Sequence, residues 1–203
     1  MIWLLLAVFV LFVMFGMDVR RKKGMTTIVN KGYVIFMKLS CLVLLLLYLD
    51  SIFKINSIGV VEWAALGFTG MGAILVAIAK QGLRESFSWT GHFLKDTKLI
   101  TDGIYQYVRN PLYTGVFLFE IGAVTNFMFN SVLVSDQPYV LAALGGVTLA
   151  YAVAFNLVMA NKEAAKLEQQ FGDEYRAYKQ NTGAFFPKLS ALLGVQKNVT
   201  NEA

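Results

Sequence analysis

The sequence predicts an all-α, polytopic membrane protein of about five transmembrane helices with a cytosolic C-terminal helical segment. Three observations carry that expectation. Of the 203 residues, 57% are hydrophobic and only 15% are charged, whereas a soluble domain carries roughly 25% charge. The mean hydropathy is +0.57. The apolar residues also fall into long runs separated by basic and aromatic clusters, and a helix needs about 20 mostly apolar residues to cross a bilayer.

The runs cover residues 2–17, 33–53, 60–79, 112–130 and 139–160. The first is short and charge-free. No basic residue precedes it and Asp18 to Lys23 follow it as a stop-transfer cluster. It is therefore expected to stay as an anchor and not to act as a signal peptide, with a length that suits a thin or untilted span. In the second run Cys41 reads as a small buried apolar residue. In the third, Gly67, Gly70 and Gly72 would let a neighbouring helix approach closely.

The fourth run opens behind Asn110 and Pro111. Proline lacks a backbone donor and biases the preceding residue away from helix, but it fits the first helical turn. Pro111 is therefore expected to start span four, with Arg109 and Asn110 at its entrance. Free N–H groups and partial positive charge gather at a helix start. With Arg109 beside it, the place can hold a carboxylate or phosphate, or anchor a lipid headgroup.

Tyr113 and Glu120 are seven residues apart, as are Asn156 and Glu163 in and beyond span five. Each pair shares a helix face. A charged residue inside a membrane usually faces the protein interior or a wet cavity. Glu120 is thus expected to meet a partner, water or a ligand, or to sit protonated in a structural hydrogen bond.

Basic residues set the orientation. Arg20, Arg21, Lys22, Lys23 and Lys31 lie between spans one and two. Lys80, Arg84, Lys95, Lys98 and Arg109 lie between spans three and four, and Lys162, Lys166, Arg176, Lys179, Lys188 and Lys197 follow span five. The opposite side has Lys54. The positive-inside rule then places the N-terminus outside and the C-terminal segment in the cytosol. In so apolar a chain the net charge of +5 reads as span-flanking charge, so no nucleic-acid partner is expected. One cysteine and one histidine exclude a disulfide framework and a Cys/His zinc site. Residues 194–203 read as a disordered tail. The Asn198-Val199-Thr200 acceptor pattern is discounted because it falls on the cytosolic side.

The cytosolic pieces, 80–111 and 161–203, are rich in aromatics: Trp89, Tyr105, Tyr107, Phe171, Tyr175, Tyr178 and Phe185. Such segments suit packing onto the membrane face. From Asp102 the chain reads DGIYQYVRNPLYTGVFLFE, and from Glu163 EAAKLEQQFGDEYRAYKQNTGAFFPKL. These two ordered blocks resemble the catalytic half of the isoprenylcysteine carboxyl methyltransferase family, whose pattern is G-x-Y-x-x-x-R-[HN]-P-x-Y-x-G, a helical hairpin, then E-E-x-x-L-x-x-x-F-G-x-x-Y-x-x-Y. The likeness spans about 80–100 residues of the C-terminal half; spans one to three match only in hydropathy.

The resemblance implies an integral membrane enzyme that binds S-adenosylmethionine on the cytosolic side and methylates a lipophilic substrate from the bilayer. It divides the chain into a three-span bundle over 1–80 and a catalytic half over 81–203. By carry-over, Tyr105, Asn110, Pro111, Leu112, Tyr113 and Glu163 line the cofactor pocket, and Thr97, Lys98, Leu99 and Ile100 add backbone contacts. Gly115, Leu167, Phe171, Gly172 and Tyr175 match packing positions. Asn110 stands where eukaryotic members have His, and Ala164 replaces the second Glu. Met159 occupies the place of a substrate-directed Arg, which weakens the case for a prenylcysteine carboxylate as acceptor. Arg109 and Glu120 are the expected catalytic residues, Glu120 as base toward an amine or thiol acceptor, with His92 a second option. The alternatives are an NADPH-dependent sterol-type reductase, which shares a distant form of the R-x-P-x-Y-x-G block, and a non-enzymatic membrane scaffold.

Overall fold

The protein is described here by a computed structural model covering residues 1–16, 24–88 and 92–188. The Arg20–Lys23 cluster, Trp89, Lys197 and the tail from residue 194 lie outside the described residues.

The described chain is mostly helical: α1 (Ile2–Gly16), α2 (Lys31–Phe53), α3 (Val60–Leu83), α4 (Pro111–Phe127) and α5 (Pro138–Asn181). Four spans are long and apolar enough to cross a membrane, formed by α2, α3, α4 with the turn that continues it to Val132, and α5, and α1 is a shorter apolar helix. Their starts follow local chemistry. The Asn30 side chain accepts from the Gly32 N–H at 2.8 Å and caps α2. The Glu62 carboxylate accepts from the Gly59 N–H at 2.8 Å ahead of α3. Pro111 and Pro138 occupy the first turns of α4 and α5.

The helical architecture that the sequence predicts also carries a small antiparallel ribbon. Strand β1 (Met25–Thr27) pairs with β2 (His92–Leu94), Thr26 facing Phe93. Three residues are too few for a period-two pattern to be read, so these strands leave no sequence signal. The fifth helix also differs from its expected bounds. It runs 44 residues to Asn181, broken only at Gly172, whose φ is +54°. At 1.5 Å per residue the stretch before Gly172 alone is about 50 Å long, more than the roughly 30 Å of a bilayer core.

The α3–α4 pair is the most extensive helix contact, and it crosses the boundary expected at residue 80. Small residues make the crossing close. A Cβ on Gly115 would lie 2.9 Å from the Gly72 carbonyl, and one on Gly122 would lie 2.6 Å from the Ala65 carbonyl. One on Gly72 would collide with the Phe119 backbone. Gly67 and Gly70, expected at this interface, face open space. Only Gly72 of the three lies on the stripe that meets α4.

Polar residues tie α2, α3 and α4 at the end away from the Arg109 entrance. Asn126 Nδ2 donates to Ser51 Oγ at 2.7 Å, Asn130 Nδ2 to Glu62 Oε1 at 3.4 Å, and Ser131 Oγ to Asp50 Oδ2 at 3.3 Å. A π-helical turn over Met128–Val132 continues α4 there. Two apolar clusters form the interior. One gathers Leu5, Phe12, Tyr48, Ile52, Val76 and Phe119, with Phe12 stacked on Phe119. The other packs Val34, Met37, Tyr113, Phe155 and Met159, with Cys41 partly buried against it. Trp3, Phe36, Leu39, Trp63, Ile74, Val140 and Val147 are exposed, as lipid-facing positions require.

Candidate active site

The site lies where the loop before α4, the first turn of α4 and the outer half of α5 meet. Val108 bridges Gly183 in parallel. The Arg109 N–H donates to the Gly183 carbonyl at 2.8 Å and the Asn110 N–H to the Ala184 carbonyl at 3.0 Å. Side chains repeat the tie. Arg109 donates through Nε to the Thr182 carbonyl at 3.2 Å and through Nη1 to the Tyr175 hydroxyl at 3.5 Å. Asn110 Nδ2 reaches the Ala184 carbonyl at 3.0 Å, and Thr114 Oγ1 the Phe185 carbonyl at 2.8 Å. Residues 182–185 thus strap the entrance of α4. The Asn110 amide, expected as a ligand donor, has one of its N–H groups committed to this strap.

One turn into the helix, Tyr113 Oη donates to Glu163 Oε1 at 2.8 Å. This bond joins the two motif blocks directly. Tyr105 follows the Gly103 turn, whose φ of +58° suits glycine. Its buried hydroxyl donates to the Ala79 carbonyl at 3.1 Å, and its own carbonyl accepts from Tyr178 Oη at 2.6 Å. Burial, reinforced by Tyr178 and Glu163, holds the Tyr105 phenol far above its ordinary pKa, so it stays protonated. The loop before it is fastened from both sides. Gln170 Nε2 donates to the carbonyls of Lys95 at 3.2 Å and Thr97 at 3.4 Å, and the Lys98 N–H donates to Ser86 Oγ at 3.3 Å.

These elements surround a cleft with about 900 Å³ of space, part of it open to solvent. Thr97, Lys98, Leu99, Ile100, Tyr105, Arg109, Asn110, Pro111, Leu112, Tyr113 and Glu163 all line it. So do residues the sequence does not single out as pocket lining: Ser86 and Phe87 after α3, Phe93 and Leu94 of β2, and Tyr175 and Tyr178 of α5. Aromatic density in both segments is the one sequence signal for them.

Glu120 lies elsewhere. It borders an adjoining apolar cavity with Phe12, Met37, Cys41, Phe119 and Asn156. Leu112 lines both spaces. His92 heads β2 and borders neither. Met159 is fully buried beside Tyr113 and Phe155, so its position offers no cation.

The model of the isoprenylcysteine carboxyl methyltransferase family matches residues 65–167, from α3 through the Glu163 turn of α5. The chain is 31% identical over 150 residues to the protein-S-isoprenylcysteine O-methyltransferase of Schizosaccharomyces pombe, across 68% of this chain and 54% of that protein. It therefore spans about half the length of that curated relative. The match reaches further toward the N-terminus than the two motif blocks and takes in the Gly72–Gly115 crossing. By that match, and by the meeting of both blocks around one cleft, the chain belongs to the isoprenylcysteine carboxyl methyltransferase family.

Proposed function

We propose that this protein is an integral membrane methyltransferase that moves the methyl group of S-adenosylmethionine to a lipophilic acceptor drawn from the bilayer. One observation carries the proposal: the cleft lined by the motif residues adjoins an apolar cavity among the helices, with Leu112 common to both. A soluble methyl donor and an oily acceptor need such neighbouring compartments.

The chemistry of the cleft lining suits that cofactor. Lys98 and Arg109 supply cations for a carboxylate, Glu163 an anionic partner for an ammonium, and Phe87, Tyr105 and Tyr113 aromatic faces. When bound, S-adenosylmethionine supplies an activated methyl group for in-line displacement. The protein's own part is positioning and exclusion of water. Tyr113 holds the Glu163 carboxylate in one orientation through its 2.8 Å hydrogen bond. Arg109 holds the 182–185 strap closed over the first turn of α4. A carboxylate acceptor is ionised near neutral pH and needs no base. Glu120 stands on the acceptor side, two helical turns below Tyr113, or about 10 Å deeper. That depth suits contact with the acceptor's chain better than proton abstraction beside the cleft.

In the membrane we take α1 as a fifth span, with the N-terminus outside and the outer half of α5 in the cytosol. The Lys and Arg residues that flank the cleft favour that orientation.

Titrating the purified protein in detergent with S-adenosylhomocysteine and, separately, NADPH tests the proposal. S-adenosylhomocysteine should bind and NADPH should not. Binding of NADPH alone would transfer the reading to a reductase. Binding of neither, with no labelled methyl passed to any lipid extract, would leave a scaffold.

A further inference from the structure

Phe87 lines the cleft but belongs to neither motif block, and its place depends on how α3 ends. The helix stops at Leu83, and Arg84 follows with φ +48° and ψ −120°. That conformation favours glycine, and with an arginine in it the surrounding contacts must hold the turn. The Arg84 N–H still donates to the Lys80 carbonyl. A short 3-10 turn over Arg84–Ser86 then carries the chain to Phe87, whose N–H donates to the Arg84 carbonyl at 3.4 Å. Phe87 is 8% exposed, so this turn delivers its ring to the interior.

Lys80 supplies a contact that holds it. Its ammonium lies 5.1 Å from the centroid of the Phe87 ring, within cation–π range. The same Nζ donates to the Phe15 carbonyl at 2.9 Å. Phe15 is in the last turn of α1, where carbonyls lack partners within the helix and the negative end of the dipole favours a cation. The ammonium is thus fixed against α1 on one side and meets the Phe87 ring on the other. The same end of α3 seats a second ring of the cleft. Tyr105 donates to the Ala79 carbonyl at 3.1 Å, and its ring would lie 3.2 Å from a Cβ on Gly82. An apolar side chain at position 80 would pack beside Phe87 without directing it.

We infer that Lys80 is a positioning residue for the cleft: its ammonium, anchored on the end of α1, holds the Phe87 ring in place as a wall for the methyl donor. The inference rests on the proposed reading of the cleft as the donor's site. Lys80 does not itself line the cleft, so it acts through Phe87. It also brings α1, which lies outside the matched residues 65–167, into the support of that site.

The test uses the intact protein in detergent and two readouts. The first is fluorine NMR with para-fluorophenylalanine in place of Phe87, which reads the ring without any ligand. The second is S-adenosylhomocysteine affinity by calorimetry, in the natural sequence and in a Phe87→Leu background. Lys80→Met should shift the fluorine resonance and weaken binding about tenfold, the scale of one desolvated cation–π contact. Lys80→Arg, which keeps the charge and the donor, should restore both. In the Phe87→Leu background Lys80→Met should cost no further affinity. Lys80→Gln keeps a donor for the Phe15 carbonyl and loses only the cation, so it guards against a variant that fails to fold, and it should shift the resonance as well. An unmoved resonance in both variants would overturn the inference. An equal loss of affinity with and without the Phe87 ring would overturn it too, because Lys80 would then act on the fold at large. Failure of the unsubstituted protein to bind S-adenosylhomocysteine would remove the cofactor reading of the cleft, whereas the fluorine resonance would still decide whether Lys80 sets the ring.

Discussion

Tyr113 on α4 donates its phenolic proton to the Glu163 carboxylate on α5 across 2.8 Å, and that bond ties the two motif blocks to each other beside the cleft that both residues line. A carboxylate held this way presents its second oxygen in a set direction. Tyr113→Phe should therefore weaken S-adenosylhomocysteine binding about tenfold, and Glu163→Ala more, since a charge-assisted hydrogen bond contributes roughly 1.5–3 kcal/mol. Calorimetry in detergent measures both. Unchanged dissociation constants would remove Glu163 from the cofactor's surroundings.

The 182–185 strap should matter for binding although no strap residue lines the cleft. Thr114→Val deletes its bond to the Phe185 carbonyl and is expected to cost about 1–3 kcal/mol by stranding that acceptor. Gly183→Ala would drive a methyl group into the Phe186 backbone. Both should lower the affinity for S-adenosylhomocysteine by loosening Arg109 and Asn110, more than they lower the midpoint of thermal unfolding.

The glycines of α3 should separate sharply in stability. Gly72→Ala overpacks the contact with Phe119 and should destabilise by about 1–3 kcal/mol. Gly67→Ala and Gly70→Ala meet open space and should be neutral or stabilising by up to ~1 kcal/mol, the helix preference of Ala over Gly. Thermal unfolding of the three variants in one detergent reads the contrast.

Orientation is open to cysteine labelling. In a Cys41→Ala background, Ser135→Cys lies in the turn between α4 and α5, and Lys179→Cys lies near the end of α5. An impermeant maleimide added to intact cells should label the first and spare the second. The reverse pattern would invert the proposed topology.

Much of this architecture is legible in the sequence because apolar run length and proline position are local signals. Pro111 and Pro138 mark the starts of α4 and α5, and the Tyr113/Glu120 and Asn156/Glu163 spacings give the facing stripes. Half of the cleft lining is legible because two ordered blocks carry it. What escapes depends on long-range contact. The β1–β2 ribbon is three residues a side, and its partners lie 67 positions apart at Thr26 and Phe93. The pairing of Arg109 with the Gly183 and Thr182 carbonyls uses backbone groups, which no residue type announces. Gly67, Gly70 and Gly72 look alike in sequence, and only the rotation of α3 against α4 tells them apart. Glu120 reads as belonging to the motif it follows, but two helical turns carry it out of the cleft.

Ultraviolet cross-linking of radiolabelled S-adenosylmethionine to the intact protein, followed by peptide mapping, addresses the cofactor site most directly. Label should appear on peptides from residues 97–113 and 163–178, and unlabelled S-adenosylhomocysteine should abolish it. Label confined to other peptides, or no competable label at all, would contradict the assignment of this cleft to the methyl donor.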